Sequence, residues 1–277
     1  MSEAETSPKR PGVYYDTLPP DAISDELAPV IDELGLVENC RQLAMEGWTV
    51  VEDAAPIEFT ERLREVILAK AGPQGARMLL AADPVFAEAV LNPKLLAMAE
   101  FSVGRGFLLS QVAASVRPQG AGPIGLHADH NWLPAPFPAH NMLFTACWAC
   151  DEYTKAGGST MVIPGSANLR RHPNAEETAA SAGAIAIECP AGSIAMWDGN
   201  VWHGNWPREL PGERVVCHIT YSRLMMRPVE DYRDHEERLI EQFGARMAGL
   251  LGHDDGLFDR NGFDYSKLVD TFNNAKR

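Results

Sequence analysis

The stretch Gly125–Trp132, GLHADHNW, places two histidines and an aspartate within four residues. His127 and Asp129 stand two positions apart, and residues i and i+2 of a β-strand point to the same side. On a strand, His-x-Asp therefore supplies two ligands of a mononuclear non-haem iron centre of the facial type, in which two histidines and one carboxylate leave three positions open. The third ligand must come from elsewhere. Of eight histidines, at 127, 130, 140, 172, 203, 218, 235 and 253, two begin His-x-Asp, His127 and His253. His253 lies in GHDDG behind a helical segment with no histidine after it, and a helix end or turn accounts for it. His127 has several histidines downstream.

Among these His203 has the most suitable surroundings. GSIAMWDGNVWHGNWP reads as two strands joined through Asp198-Gly199-Asn200, with His203 early in the second and Trp202 facing the other way. Eleven residues on, Arg214 opens the apolar strand RVVCHITYS, where a charge entering a buried strand requires an anionic partner such as a ligand carboxylate. Taken singly, each has a plainer reading: a chance His-x-Asp, a structural histidine, a surface arginine. Their joint arrangement is what points to a metal pocket.

The elements that must position these residues follow from periodicity. Residues 1–24 carry little pattern and are expected to be a mobile N-terminal segment, with its first dozen residues loose and the rest a tether packed on the surface. Asp25 to Glu46 reads as helix interrupted at Gly35, GWTVVEDA as a strand, and IEFTERLREVILAKA as an amphipathic helix. Helical character resumes through DPVFAEAVLNPKLLAMAEFSVG with a break near Pro93. From Phe107 to about Met226, short apolar or alternating runs separated by turn residues indicate an all-β sandwich or barrel. After Pro228 the chain is charged and helical, then ends in a polar tail. Residues 25–277 are thus expected to form one domain, a β core with a helical N-terminal buttress and a C-terminal helical extension.

A net charge of −14 argues against nucleic acid or an anionic membrane surface as partner and favours a small-molecule substrate. Five scattered cysteines suit reduced thiols, and neither an apolar leader nor a membrane-length apolar run is evident, so a cytoplasmic location is expected. Cys147-Trp148-Ala149-Cys150 lies in a β run, where positions three apart face opposite sides, and is read as structural. The oligomeric state is not legible.

His127-x-Asp129, the stretch GGSTMVIPGSANLRRHP at 157–173, His203 and Arg214 together resemble the phytanoyl-CoA dioxygenase family of iron(II)- and 2-oxoglutarate-dependent oxygenases, from about Cys40 to Arg223. The resemblance implies a mainly β fold with flanking helices, a double-stranded β-helix of the jelly-roll, cupin-like kind, with iron held by His127, Asp129 and His203. It also implies 2-oxoglutarate and O2 as cosubstrates, with Arg214 pairing with the far carboxylate of 2-oxoglutarate. Asn205 stands where the family often has Ser or Thr helping to hold that carboxylate, and Trp148 where it often has a tryptophan beside the cosubstrate. Gln111 and Ser115 alternate onto one strand face and are candidates for contact with the cosubstrate.

The reaction so implied couples conversion of 2-oxoglutarate to succinate and CO2 with hydroxylation of an unactivated C–H bond. Asp129 favours oxygen insertion, because related halogenases carry a small residue there. Desaturation, cyclisation or epimerisation on the same site, a non-oxidative metal-dependent cupin, and a metal-free binding module stay open as alternatives. The loop HNWLPAPFPAHN reads as a stiff apolar wall over the site, with His130, Trp132 and Phe137 as substrate contacts. Arg170, Arg171 and His172 form a basic turn read mainly as solvated surface.

Overall fold

The computed structural model describes residues 18–72, 75–253 and 264–274. Most of the expected N-terminal mobile stretch lies outside these residues. Its last part, Leu18–Ser24, is fastened: His140 Nε2 lies 2.7 Å from the Leu18 carbonyl, and the buried Ser24 hydroxyl accepts from the Leu27 N–H at 3.2 Å.

Helices α1 (Ala28–Glu33) and α2 (Val37–Glu46) are separated around Gly35, and β1 (Trp48–Val51) and α3 (Ile57–Lys70) follow. Helices α4 (Pro84–Val90) and α5 (Pro93–Val103) each begin with proline behind a side-chain cap. Asp83 accepts from the Val85 N–H and Asn92 from the Leu95 N–H, satisfying donors that have no partner inside the helix. This capping is the physical reason for the break near Pro93.

The β region comprises β2 (Leu108–Pro118), β3 (Ile124–His127), β4 (Leu143–Ala149), β5 (Thr160–Val162), then α6 (Ala175–Ala180), β6 (Ile185–Ala186), β7 (Ile194–Asp198), β8 (His203–Asn205) and β9 (Glu213–Ser222). Helices α7 (Glu236–Phe243), α8 (Ala245–Leu250) and α9 (Tyr265–Asn274) follow. The last occupies part of the expected polar tail and buries Val269.

Two antiparallel sheets face one another, a five-stranded one ordered β1-β7-β4-β9-β2 and a four-stranded one ordered β3-β8-β5-β6. The fold is a double-stranded β-helix. No hairpin joins β7 to β8: β7 pairs with β1 and β4 in one sheet, β8 with β3 and β5 in the other. The Asp198–Asn200 turn therefore carries the chain across the sandwich.

Alternation divides the larger sheet. Phe144, Ala146 and Trp148 of β4 and Val215, Cys217, Ile219 and Tyr221 of β9 face the helical layer and join one core with Phe86, Leu95 and Met98. Trp148 Nε1 and Tyr221 Oη donate to the carbonyls of Ala89 and Val90, which α4 leaves unpaired at its C-terminal end. Cys147, Ala149, Ala195, Trp197 and Val216 face the other sheet and pack with Tyr153, Val162 and Ile187. Cys147 and Cys150 thus lie on opposite faces, and all five cysteines are free and buried. No described helix is long and apolar enough to cross a membrane.

Candidate metal and cosubstrate site

His127 and His203 are directly opposite one another across β3 and β8, so their rings share a face with centroids 4.4 Å apart. Asp129 lies just past the end of β3, where its N–H donates to the Gly199 carbonyl at 2.9 Å. The crossing turn, more than strand alternation, sets its place. His203 Nε2 and His127 Nε2 come within 3.4 and 3.7 Å of Asp129 Oδ1. One ligand atom from each of the three residues lies within 4.8 Å of the others, and among the described residues this is the group of His, Cys, Asp and Glu able to hold a metal ion.

The surrounding hydrogen bonds orient all three donors. His127 Nδ1 lies 3.0 Å from the Gly125 carbonyl and His203 Nδ1 3.1 Å from the Val201 carbonyl. Carbonyls only accept, so each Nδ1 donates there, which leaves the Nε2 atoms, directed toward Asp129, as the ones that would bind a metal. Asp129 Oδ2 accepts from the Thr145 hydroxyl at 3.0 Å and from Trp197 Nε1 at 3.2 Å, which leaves Oδ1 toward the histidines. Burial raises the carboxyl pKa, but His203 and His127 outweigh it and hold Asp129 below the usual carboxylate range. Burial, helped by His203, lowers the pKa of His127; burial also acts to lower that of His203, but Asp129 reverses the effect and raises it. This donor set fits a facial-triad iron(II).

Arg214 is 1% exposed. Nη1 donates to the Gly158 carbonyl at 2.8 Å and the Tyr153 hydroxyl at 3.3 Å, its guanidinium stacks over the Tyr153 ring, and buried Nε has no partner. No carboxylate among the described residues pairs with it. A desolvated guanidinium in that state fits a ligand carboxylate. Asn205 Nδ2 reaches the same Gly158 carbonyl at 3.4 Å, which brings Asn205 and Arg214 to one place.

Gln111 and Ser115 are paired with Thr220 and Val216 of β9, so both face the interior. Thr220 in turn lies 3.4 Å from Thr145. His218, between Val216 and Thr220 on this face, is pushed down to about 4 by burial and by Arg214, which keeps it neutral.

Other assignments are corrected. Trp148 faces the helices, 5.2 Å from the Phe59 ring, because its even position on β4 puts it opposite Thr145 and Cys147. His130 and Phe137 are fully buried: His130 Nδ1 meets Asn200 Oδ1 at 2.7 Å, and Phe137 packs with Ala128 and Trp202. They brace the loop from within, while Trp132 is 70% exposed. Arg170 bonds the Phe137 carbonyl and Arg171 pairs with Glu177, so the basic turn is engaged in holding its own loops. His253 pairs with Glu236, and Asp255 lies outside the described residues. Sequence reasoning missed Thr145, Trp197 and Tyr153; the only available signal for Thr145 was a lone hydroxyl in an apolar run.

The chain is similar to several known proteins. A dioxygenase of Aspergillus fumigatus, af480, is 28% identical over 172 residues, which is 61% of this chain and 55% of that protein's length. An uncharacterized Mycobacterium tuberculosis protein is 25% identical over 231 residues, covering 74% of this chain and 82% of its own length. Among solved structures, EctD from S. alaskensis with 2-oxoglutarate and 5-hydroxyectoine superposes with a TM-score of 0.62 at 20% identity, covering 80% of this chain and 86% of that one. HygX from Streptomyces hygroscopicus with nickel and 2-oxoglutarate bound gives 0.58 at 17% identity, covering 75% and 89%. The profile of the phytanoyl-CoA dioxygenase (PhyH) family matches residues 43–207, and the chain belongs to that family.

Proposed function

We propose that the protein is an iron(II)- and 2-oxoglutarate-dependent dioxygenase that hydroxylates an unactivated C–H bond of a small organic molecule. The observation that carries this reading is the convergence of His127, Asp129 and His203 within 4.8 Å between two sheets whose shared interior also holds a buried arginine with no described carboxylate partner. His127, Asp129 and His203 would hold the iron. Arg214, with Asn205 beside it, would hold the far carboxylate of 2-oxoglutarate. Gln111 and Ser115 line the strand face between these two ends.

Iron, when bound, supplies the O2-dependent oxidising chemistry, and 2-oxoglutarate leaves as succinate and CO2. The chain's own residues position and exclude. Thr145 and Trp197 hold Asp129 Oδ2, and the two backbone carbonyls fix both imidazole tautomers. Val216, Ala149 and Val162 keep the wall between the sheets dry. An acidic ligand at Asp129 supports oxygen insertion. That EctD was solved with 5-hydroxyectoine supports a small polar molecule as the substrate class. The net charge of −14 disfavours nucleic acid, and five free cysteines suit a cytoplasmic location.

Anaerobic addition of iron(II) and 2-oxoglutarate tests the reading. A charge-transfer absorption that His127→Ala and Arg214→Ala both abolish, with succinate formed on admitting O2, is expected. No band and no succinate would overturn it.

A further inference from the structure

Arg214 is not the only cation at its end of the sandwich. Arg117, near the end of β2, is in direct register with Arg214 of β9. The pairs Gln111–Thr220, Ala113–His218 and Ser115–Val216 run in the same phase, so Arg117 continues the inward face. Directly opposed residues of antiparallel strands have Cβ atoms about 5 Å apart, a spacing at which like charges repel.

Arg117 Nη2 donates to the Gly122 carbonyl, and its buried Nε, like that of Arg214, has no partner. No described carboxylate pairs with either side chain. Arg208, close by, differs: each of its three guanidinium nitrogens, Nε included, donates to a backbone carbonyl, of Gly212, Gly157 and Pro211. Burial, then the charge of Arg214, lowers the pKa of Arg117, the direction expected of a cation pressed against another. Two adjacent guanidiniums, each with an unused buried N–H, make a site for an anionic group that accepts from both.

We propose that Arg117 is a second arginine for the far carboxylate of the 2-oxo acid cosubstrate, forming with Arg214 a clamp that selects dicarboxylic over monocarboxylic 2-oxo acids. This rests on the oxygenase reading above and adds a specificity residue to it. One carboxylate has lone pairs enough for both N–H groups, and its charge relieves the repulsion across the strand pair. Binding at this end is therefore coupled to both arginines.

The test is anaerobic titration of the iron(II)-loaded protein with 2-oxoglutarate and with 2-oxovalerate, which lacks the far carboxylate, read by charge-transfer absorption and calorimetry. Arg117→Gln is expected to weaken 2-oxoglutarate about tenfold or more while leaving iron(II) and 2-oxovalerate affinity unchanged. Arg117→Lys, which keeps the charge, is expected to retain most of the affinity. Thermal unfolding of ligand-free Arg117→Gln is expected to be unchanged or shifted upward, which separates loss of a ligand contact from loss of the fold. If Arg214→Gln weakens 2-oxoglutarate and Arg117→Gln does not, this inference is overturned and the oxygenase reading stands. If the wild-type protein binds no 2-oxoglutarate, both fall.

Discussion

Asp129 Oδ2 is held by two side chains from the larger sheet, Thr145 and Trp197, while Oδ1 faces the histidines from the smaller one. The carboxylate thus sits between the two layers, and its orientation depends on contacts outside the ligand set. Thr145→Val, which keeps shape and removes the donor, is expected to weaken iron(II) binding roughly ten- to hundredfold, measured by anaerobic metal titration. Arg214→Lys keeps a charge but loses the fork and the stacking on Tyr153. Its 2-oxoglutarate dissociation constant is expected to rise by about 1.5–3 kcal/mol in free-energy terms, with iron(II) affinity retained. His127, Asp129, His203 and Arg214 could be singled out as candidates from residue type and spacing. Thr145, Trp197 and Tyr153 were not, because a hydroxyl, an indole or a phenol in an apolar strand looks like core until its neighbours are known.

At the scale of elements, the pairing of β3 with β8 makes the site. Gly204, between His203 and Asn205, permits it: an added Cβ would lie 2.3 Å from the Ile124 carbonyl and 3.0 Å from that of Gly125. Gly204→Ala is expected to push these strands apart, costing about 1–3 kcal/mol in chemical denaturation and losing metal affinity together with stability. The larger sheet's outer face predicts the opposite separation. Trp148→Ala is expected to cost about 3–5 kcal/mol of stability, while the folded fraction keeps its affinity for 2-oxoglutarate. The strands themselves were readable from turn residues and alternation. The sheet to which each belongs was not, because a turn at Asp198–Asn200 serves a hairpin and a crossing between sheets equally well.

Across the whole molecule, one helical layer supports the larger sheet while the polar constellation sits between the sheets, so stability and ligand binding draw on opposite faces of the same strands. The interior between the sheets holds a carboxylate set between two imidazoles and a desolvated guanidinium whose Nε has no partner. Ligands that satisfy them bind the native state alone. Iron(II) with 2-oxoglutarate at roughly a hundred times their dissociation constants is expected to stabilise the fold by about 2.7 kcal/mol for each independent site, seen as a rise in the unfolding midpoint. A chelator is expected to reverse the shift, and His203→Ala to abolish the metal-dependent part.

Chemistry-bearing residue types at short or family-specific spacing, and the period of apolar positions, are local properties, and the sequence by itself singled out His127, Asp129, His203 and Arg214 as candidates and determined the β core between helical segments. The tertiary structure decided what depends on partners distant in the chain. It set His127 against His203 by register, held Asp129 by the Gly199 carbonyl, and turned Trp148 outward. It also closed His130 and Phe137 into the loop and placed Arg117 beside Arg214. The physical reason is common to all of these: a side chain's direction follows from strand parity, but what it meets there is set by which strands pair.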